Sequence, residues 1–546
     1  MDASEPMTGA ESVLRTLAAS GVGTCFANPG TSEMHLVAAL DRVPEMRAVL
    51  TLFEGVASGA ADGYGRMAGV PAATLLHLGP GLGNAFANLH NAYKARTPLV
   101  NLVGDHAVLH APLGAPLASD VESVARPASH WLGRARDARS AAGEAAAAVA
   151  AARGRGGGVA TLILPADAGW EASAGPAAPV APLPPAPVPE AAVERAAQAL
   201  RSGAPAAILL GGATTRRPGQ GAAARIAAAT GARVIHDTFP ARLERGAGVP
   251  RAEPLPYLTE MATETLAGLE HLIVAGTQAP VAFFAYPGMP SRLASEETDV
   301  HVLAGPQEDA VAALEALAEL LGAGGGAGRG AGDGAGRGAP AGAGPGAPAG
   351  AGRGAGGRQA EPRASGPLDA HAIGATVAAL LPEGAIVVDE AVTASAPILQ
   401  ATAAAPAHDW LTLTGGAIGQ GLPVATGAAV ACPDRPVLSL EGDGSAMYTI
   451  QALWTQAREG LDVTTLILAN RSYAILDFEL SRTGAGTAGE AARSLLEIGR
   501  PDLEFTALAR GMGVPGRRVE DAAALAAALR EAFAEPGPHL IEAVLA

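Results

Sequence analysis

The stretch from residue 438 to 473 constrains the fold more than any other part of the sequence. It reads LSLEGDGSAMYTIQALWTQAREGLDVTTLILANRSY. An apolar strand runs into a Gly-Asp-Gly turn, a helical pattern opens at Ser445, and a second apolar strand leads to Asn470. This order predicts a βαβ unit, in which ligands gather at the carboxyl ends of parallel strands. Asp443 and Asn470 should therefore lie side by side.

The side chains at these two strand ends suit a hard cation. The oxygens of Asp443 and Asn470, completed by a backbone carbonyl and by phosphate oxygens, form the kind of ligand set that Mg²⁺ prefers. A Gly-Asp-Gly run alone is also typical of an ordinary turn, because both residue types favour turns for local reasons. The position of Asn470, 27 residues after Asp443 and at the end of a predicted strand, is what favours a cofactor site.

The same turn is suited to a phosphate. Gly442 and Gly444 lack side chains, so the backbone can approach an anion closely. The amides of Ser445 and Ala446 open the helix, and the positive end of a helix favours negative charge. The stretch therefore predicts a phosphate beside a metal ion.

The length and the strand pattern predict three domains. A chain of 546 residues corresponds to about three units of roughly 150 to 200 residues. Short, continuously apolar strands alternate with helical patterns, which indicates parallel sheets covered on both faces. We therefore expect an α/β protein with three doubly wound parallel-sheet domains, at residues 1–171, 189–321 and 368–546.

Two segments between these domains have a different composition. Residues 172–188 read ASAGPAAPVAPLPPAPV, which predicts a semi-rigid linker rich in Pro and Ala. Residues 322–367 are rich in Gly and have almost no apolar side chain larger than Ala. Such a segment cannot offset its ordering entropy, so we expect a disordered tether.

Charge and cysteine content exclude several classes of protein. A net charge of −16 and a pI near 5.2 argue against nucleic acid or an anionic membrane as a partner. Cys25 and Cys432 are far apart and form neither a disulfide framework nor a zinc motif. The acidic start MDASEPMTGAE has no apolar leader region, and no apolar run reaches about 18 residues. A cytoplasmic protein is expected.

The GDG turn with Asn470 27 residues after Asp443 resembles the signature of the thiamine diphosphate (ThDP) enzymes. The run GDGSAMYTIQALWTQA is similar to benzoylformate decarboxylases and to acetolactate synthase large subunits. This resemblance implies that the N-terminal domain binds the pyrimidine ring and the C-terminal domain the diphosphate. The resemblance implies that Mg²⁺ is bound by Asp443, Asn470 and the carbonyl of Ser472. It also implies that three residues flank the diphosphate: Ser445, Tyr448 and Tyr473.

Glu54 is the first catalytic candidate. It follows an apolar strand and opens a helix of small residues, EGVASGAADGYGR, where burial would raise the pKa of a carboxyl. An acid at this position could equally be a helix N-terminal residue stabilised by the dipole. The resemblance implies that Glu54 binds the pyrimidine N1′ and favours the imino tautomer, whose nitrogen deprotonates thiazolium C2.

Further candidates follow other strand ends. His77, in LLHLGPG, matches a catalytic His of benzoylformate decarboxylase and could relay protons, although a lone His there could simply be a core residue. Thr31, in NPGTSE, matches a Ser of that family's substrate pocket, or is a helix cap. His106 and His110 are weaker candidates in a loop. Three further residues match positions around the cofactor in that family: Glu390, Thr393 and Ile418. The resemblance implies that Ile418 supports the bent conformation of the cofactor.

Some positions depart from the decarboxylase pattern. Where that family has a second active-site His, this chain has Phe283, Phe284 and Ala285, so the same proton relay is not expected. Ile475, Leu476 and Glu479 match the substrate pocket. The carboxylate of Glu479 replaces an aromatic side chain and makes an aryl substrate less favourable, unless Glu479 is only a solvated helix residue.

The resemblance predicts an enzyme that uses ThDP and Mg²⁺ to decarboxylate a small 2-oxo acid to an enamine. The enamine is then protonated to an aldehyde, as in a decarboxylase, or added to a carbonyl acceptor, as in acetolactate synthase. Two alternatives stay open: an oxidase of the same fold with FAD in its middle domain, and a non-catalytic ThDP-binding relative. Because the pyrimidine and diphosphate sites lie on different domains, the resemblance also implies that they meet across a subunit interface, in a homodimer or homotetramer.

Overall fold

Three sheets, parallel except for one strand of the third, build the protein and are covered by helices. The computed structural model describes residues 6–324, 366–483 and 489–546. The predicted α/β fold with three parallel-sheet units is confirmed. Among the described residues, no helix has both the length and the apolar character that a membrane span requires.

The first sheet has six parallel strands with helices on both faces. Its strands are β1 (Thr24–Ala27), β2 (Arg47–Leu50), β3 (Ala72–His77), β4 (Leu99–Asp105), β5 (Trp131–Arg134) and β6 (Val159–Pro165). Its helices are α1 (Gly9–Ala19), α2 (Met34–Leu40), α3 (Glu54–Ala68), α4 (Leu78–Ala95), α5 (Val121–Ala125), α6 (Ala138–Arg153) and α7 (Ala166–Trp170). The spatial order is β2-β1-β3-β4-β6-β5.

The middle segment forms a five-stranded parallel sheet and contributes one strand elsewhere. Its strands are β7 (Ala206–Leu210), β8 (Arg233–His236), β9 (Leu243–Arg245), β10 (Glu253–Pro254), β11 (His271–Ala275) and β12 (Asp299–Ala304). Its helices are α8 (Glu190–Arg201), α9 (Arg217–Thr230), α10 (Thr259–Leu266) and α11 (Ala310–Leu320). The sheet order is β10-β8-β7-β11-β12, so β12 is an edge strand.

The third sheet has seven strands. The last part of the chain supplies β13 (Ile386–Glu390), β14 (His408–Thr412), β15 (Val437–Gly442), β16 (Val463–Ala469), β17 (Gly516–Val519) and β18 (His539–Val544). The helices are α12 (Ala370–Leu380), α13 (Ser395–Ala401), α14 (Gly421–Ala431), α15 (Asp443–Thr449), α16 (Ala452–Glu459), α17 (Ala474–Arg482), α18 (Glu490–Leu496), α19 (Phe505–Gly511) and α20 (Ala522–Ala534). The order is β17-β18-β16-β15-β13-β14-β9, and β9 pairs antiparallel with β14.

The structure describes the Pro-rich segment between the first two domains but little of the Gly-rich one. Residues 172–188 contain no helix or named strand and are mostly exposed, as expected for a linker. The chain is held at either end of this segment, where Ser173 bonds Met7 and Ala186 bonds Gln307. The Gly-rich tether predicted for 322–367 lies, over residues 325–365, outside the described residues.

Helices α3 and α14 cross at a distance that only glycine allows. A Cβ on Gly63 would lie 2.0 Å from the carbonyl oxygen of Val424, and one on Gly427 would lie 1.8 Å from that of Ala60. The small residues of α3 are therefore explained by this contact, because any side chain at the crossing would separate the helices. Through it, one apolar core is shared by the first and third sheets.

A buried ion pair supports the same interface. Arg66 and Asp62 on α3 have side chains that are 1% and 0% exposed, with 2.6 Å between Nη2 and Oδ2. Arg66 Nη1 also donates to the carbonyl of Thr412, on β14, at 2.8 Å. Thr97 donates to Asp62 at 2.5 Å. Both charges are thus paired and further hydrogen-bonded, as burial requires.

We expect Asp62→Asn to lower the free energy of unfolding by about 3–5 kcal/mol, because the guanidinium of Arg66 would stay buried without its counter-ion. Urea denaturation followed by circular dichroism measures this loss. The control is Glu531→Gln, which removes the exposed pair with Arg517 and should cost less than about 1 kcal/mol. Equal losses in the two variants would contradict a structural role for the buried pair.

Candidate active site

One cleft at the carboxyl edge of the third sheet collects most of the predicted cofactor residues. It lies where β13, β15 and β16 end, as the strand-end argument predicts. The predicted residues that line it are Thr393, Ile418, Gly442, Asp443, Gly444, Ser445, Asn470, Ser472, Tyr473 and Ile475.

The oxygen donors of this cleft fit a hard cation. Asp443 is buried and accepts hydrogen bonds from the backbone amides of Gly444 at 2.8 Å and Arg471 at 2.6 Å. Burial raises the pKa of Asp443, while these amide bonds oppose the rise. Asn470 Oδ1 accepts from the amide of Ser472 at 3.0 Å. Carboxylate, amide and carbonyl oxygens in one cleft are the donor set for Mg²⁺.

Backbone strain occurs beside three of the candidate strand ends, and also at Arg96 and Arg155 away from them. Three non-glycine residues have positive φ next to candidate residues: Leu78 (φ 50°) follows His77, Val392 (φ 51°) precedes Thr393, and Arg471 (φ 60°) lies between Asn470 and Ser472. Such conformations cost of order 1–3 kcal/mol each and persist where the surroundings impose them. The strain at these three positions therefore coincides with strand ends that the sequence singles out.

Glu390 lies behind the cleft and anchors one of its loops. Its carboxylate accepts hydrogen bonds from the amides of Gly419 at 2.6 Å and Gly421 at 2.5 Å, next to Ile418. The predicted role of Glu390 beside the cofactor is thus better described as holding the loop that carries Ile418.

A second buried carboxyl, missed by the sequence analysis, lies beside Glu390. Glu441 is fully buried, and Ser439 donates to it at 2.6 Å. Burial raises the pKa of Glu390 to about 7. Burial and the neighbouring Glu390 raise the pKa of Glu441 well above 4.5. Two such close carboxyls cannot both ionise easily.

Glu54 lies at the carboxyl edge of the first sheet, together with His77. Glu54 is buried and its Oε2 accepts a hydrogen bond from Asn84 at 3.0 Å. A Cβ on Gly81 would lie 3.3 Å from Glu54 Oε1 and 3.1 Å from the Cβ of His77. The two candidate proton-transfer groups therefore flank the same glycine.

His77 is supported by two residues whose role the sequence did not reveal. Its Nδ1 lies 2.8 Å from the hydroxyl of Ser32, which donates to the buried carboxylate of Glu33. The hydroxyl that contacts His77 thus belongs to Ser32, whereas Thr31 is exposed. The only sequence signal for Ser32 was the motif NPGTSE directly after a strand. The contact with His77 could not be predicted from the sequence, because the two residues are 45 positions apart.

The remaining candidate residues lie outside both the group that lines the cleft and the group formed by Glu54 and His77. Ala446 is buried in the core below the cleft, whereas Tyr448 and Leu476 are exposed. His106 and His110 lie together after β4, with ring centroids 5.4 Å apart, and belong to neither group.

Glu479 is paired with residues of the middle segment. Tyr286 donates to it at 2.6 Å, and Arg482 bonds it at 3.0 Å while stacking 4.7 Å over the Tyr286 ring. Glu479 is therefore a paired carboxylate and not a solvated helix residue, and its place in the substrate pocket stays a prediction. Phe283 and Phe284, in place of the absent His, are exposed in the same loop.

The two groups of candidate residues lie in separate places in one chain. No described residue of 6–171 lines the cleft. Asn88 connects the two halves from behind, since its amide donates to the carbonyls of Gly55 at 2.8 Å and Gly419 at 3.2 Å.

Comparisons with known proteins agree at both ends of the chain. A family described as "Thiamine pyrophosphate enzyme, N-terminal TPP binding domain" matches residues 7–122. A second, "Thiamine pyrophosphate enzyme, C-terminal TPP binding domain", matches residues 394–543. The two matches cover the regions that contain Glu54 and Asp443.

Similar proteins span the full length. A Mycobacterium tuberculosis (H37Rv) protein provisionally named acetolactate synthase large subunit IlvX is 55% identical over 540 residues, which is 99% of each chain. Benzoylformate decarboxylase of Pseudomonas aeruginosa is 29% identical over 96% of each chain. The solved structure of a ThDP-dependent 4-hydroxybenzoylformate decarboxylase from Rhodococcus jostii RHA1 has a TM-score of 0.79 at 25% identity and 98% coverage of both chains.

The carboxyl pair makes stability depend on pH. The pKa of Glu390 rises from its ordinary value of 4.5 to about 7 in the folded protein. In that window the unfolded chain loses protons that the folded chain keeps, so the free energy of unfolding should fall as pH rises from 4.5 to about 7. Glu441→Gln should reduce this slope, because it removes one of the two buried carboxyls whose pKa is raised.

Urea denaturation at a series of pH values measures the slope. The control is Glu319→Gln, at an exposed position on α11, which should leave the slope unchanged. A slope of full size in Glu441→Gln would show that the pair does not titrate in this window.

Proposed function

Because the chain belongs to the thiamine pyrophosphate enzyme family, we propose that it binds ThDP with Mg²⁺ and decarboxylates a 2-oxo acid. The observation that carries this proposal is the cleft in which Asp443, Asn470 and Ser472 meet. When bound, the cofactor supplies the electron sink for loss of carbon dioxide. Neither the comparisons nor the described residues favour FAD.

The cleft residues divide the binding task. Asp443, Asn470 and the carbonyl of Ser472 would hold the cation, and the amide of Ser445 in the first turn of α15 would bind the diphosphate. Tyr473 covers this turn, since its ring would be only 2.4 Å from a Cβ on Gly444. Ile418 lines the cleft on the loop that Glu390 anchors, and it would support the bound cofactor. Thr393 lines the cleft, and Tyr448, exposed on α15, would extend the binding surface.

Glu54 holds a proton at the pyrimidine end. Asn84 occupies its Oε2, which leaves Oε1 for a hydrogen bond to the pyrimidine ring. The buried position strengthens this contact, because water does not compete with it.

His77 returns a proton to the product. Because its Nδ1 contacts the Ser32 hydroxyl, Nε2 is the atom that faces the substrate. Ser32 and Glu33 fix the ring and stabilise positive charge on it, as a carboxylate does for a general acid and base. This arrangement favours protonation to an aldehyde as the outcome of the reaction.

Ligation to a second carbonyl compound is the other candidate outcome. It is favoured by the 55% identity to the protein that carries the acetolactate synthase name. Product analysis with pyruvate, alone and with an acceptor aldehyde, separates the two: free aldehyde supports the decarboxylase, and a 2-hydroxy ketone supports the ligase.

The substrate side chain is apolar in this proposal. Glu479 is neutralised by Arg482 and Tyr286, so its charge does not exclude an aryl or branched group. Phe283 and Phe284 offer exposed aromatic surface nearby. Ile475 lines the cleft itself, and Leu476 follows it. A screen of aryl, branched, short and acidic 2-oxo acids tests this, with acidic substrates expected to be the poorest.

Two copies of the chain complete the site. The edge that carries Glu54 and His77 is flanked by Leu109 and Leu113, which are 75% and 73% exposed. Exposed apolar residues also flank the cleft at Tyr448, Leu476 and Phe478. Such patches mark interfaces, so the first sheet of one copy is expected to cover the cleft of another. Light scattering should give a dimer or tetramer.

Asp443→Asn should weaken ThDP binding in the presence of Mg²⁺ by at least about 10-fold, because the cation loses its charged ligand. Glu54→Gln should keep binding but lower the decarboxylation rate by about 10²–10⁴-fold. Calorimetry and carbon dioxide release measure the two effects.

Asp434→Asn, at an exposed position before β15, is the control and should change neither quantity. Full turnover in Glu54→Gln would disprove the proposed role of that carboxylate, and unchanged binding in Asp443→Asn would disprove the metal site.

His77→Gln should slow aldehyde release by about 10²–10⁴-fold while carbon dioxide release in the first turnover is largely kept. Ser32→Ala should shift the pH profile of aldehyde release, and Ser32→Thr should restore it because the hydroxyl returns. Stopped-flow and product assays measure both steps. Aldehyde release at the wild-type rate in His77→Gln would show that another group donates the proton.

A further inference from the structure

Three metal-ligating side chains meet on the second sheet, away from the cleft. Strands β11 and β12 are parallel neighbours in which His271 pairs with Asp299 and Ile273 pairs with His301. Asp299 and His301 are two residues apart and so lie on one face of the sheet. His271 is the first residue of β11, so this cluster lies at the opposite end of the strand from its carboxyl edge.

Two of the three distances between ligand atoms match a metal site. His301 Nε2 lies 3.3 Å from His271 Nδ1 and 3.3 Å from Asp299 Oδ2. All three ligand atoms lie within 4.8 Å of one another. Tetrahedral ligands at about 2.0–2.1 Å from a zinc ion are themselves about 3.3–3.4 Å apart. Side chains would need to move little to bind a cation between them.

Hydrogen bonding alone leaves the cluster incompletely paired. His301 Nε2 carries either one proton or one lone pair, yet it faces both a second imidazole nitrogen and a carboxylate. A cation would accept a lone pair from each of the three atoms at once. Two imidazole nitrogens and one carboxylate oxygen favour zinc-like transition metals over Mg²⁺ or Ca²⁺, which prefer oxygen ligands only.

The surroundings allow an ion to enter. The Asp299 side chain is 68% exposed and β12 is an edge strand, so solvent reaches the cluster and water can supply a fourth ligand. Arg195 of α8 also acts electrostatically on His301. This positive charge opposes a cation, so the affinity should be lower than that of a closed structural site.

We propose that His271, Asp299 and His301 bind a divalent transition-metal ion of the zinc class, with water as a further ligand. The ion links β11 to the edge strand β12 and so stabilises the outer part of the second sheet. This site does not depend on the proposed reaction, because its ligands lie outside the cleft.

The experiment is a zinc titration of the untagged full chain, saturated with ThDP and Mg²⁺ so that the cleft is occupied. Competition with a chromophoric chelator should show one Zn²⁺ bound per chain, and Co²⁺ should give the visible absorption bands of a tetrahedral site. His301→Gln and His271→Gln should each weaken zinc binding by at least about 10–100-fold. His371→Gln, at an exposed position on α12, is the control and should bind zinc normally.

Thermal unfolding gives a second measurement. Zinc should raise the unfolding temperature of the wild type and of His371→Gln, because a ligand that binds only the folded state stabilises it. It should raise that of Asp299→Asn less and that of His301→Gln not at all. Unchanged circular dichroism and ThDP binding show that the variants fold. No saturable zinc binding in the wild type, or undiminished binding in both His variants, would overturn the proposal.

Discussion

A buried cluster of arginines and aspartates joins the three parts of the chain, and the geometry of the candidate site depends on it. Arg66 of α3 contacts the carbonyls of Ala241 and Thr412. Arg242 of the middle segment bonds Asp409 on β14 at 2.6 Å and reaches the carbonyl of Met67 at the end of α3. Each charge has a partner, without which its burial would be strongly unfavourable. The three sheets are thereby fixed relative to one another.

The loop of residues 415–421 connects the packing between the sheets to the cleft. Glu390 bonds its amides from one side, and Asn88 and Asn91 of α4 bond it from the other at Gly419 and Ala417. A loop fixed from both sides can hold Ile418 in one position, which is what positioning a cofactor requires. Binding geometry and interface packing are therefore the same set of contacts.

The sequence predicts what depends on local order along the chain. Asp443 and Asn470 could be placed together because neighbouring parallel strands end at one edge. Ser32 and Glu441 could not be assigned, because their partners are distant in sequence or depend on burial. Glu479 was interpreted as a pocket carboxylate or a solvated residue, and its pairing with Tyr286 across 193 positions could not be anticipated. The roles of these site residues stay predictions.

Strand β9 has a consequence for exchanging parts between relatives. Residues 243–245 come from the middle of the chain but complete the sheet that carries the cleft, through pairing with His408, Asp409 and Trp410. A chimera that replaces the whole middle segment would remove this edge strand and expose Trp410 to solvent. Chimeras should therefore keep the native residues around β9. The β9–β14 pairing also prevents the middle segment from rotating as a rigid body relative to the third sheet.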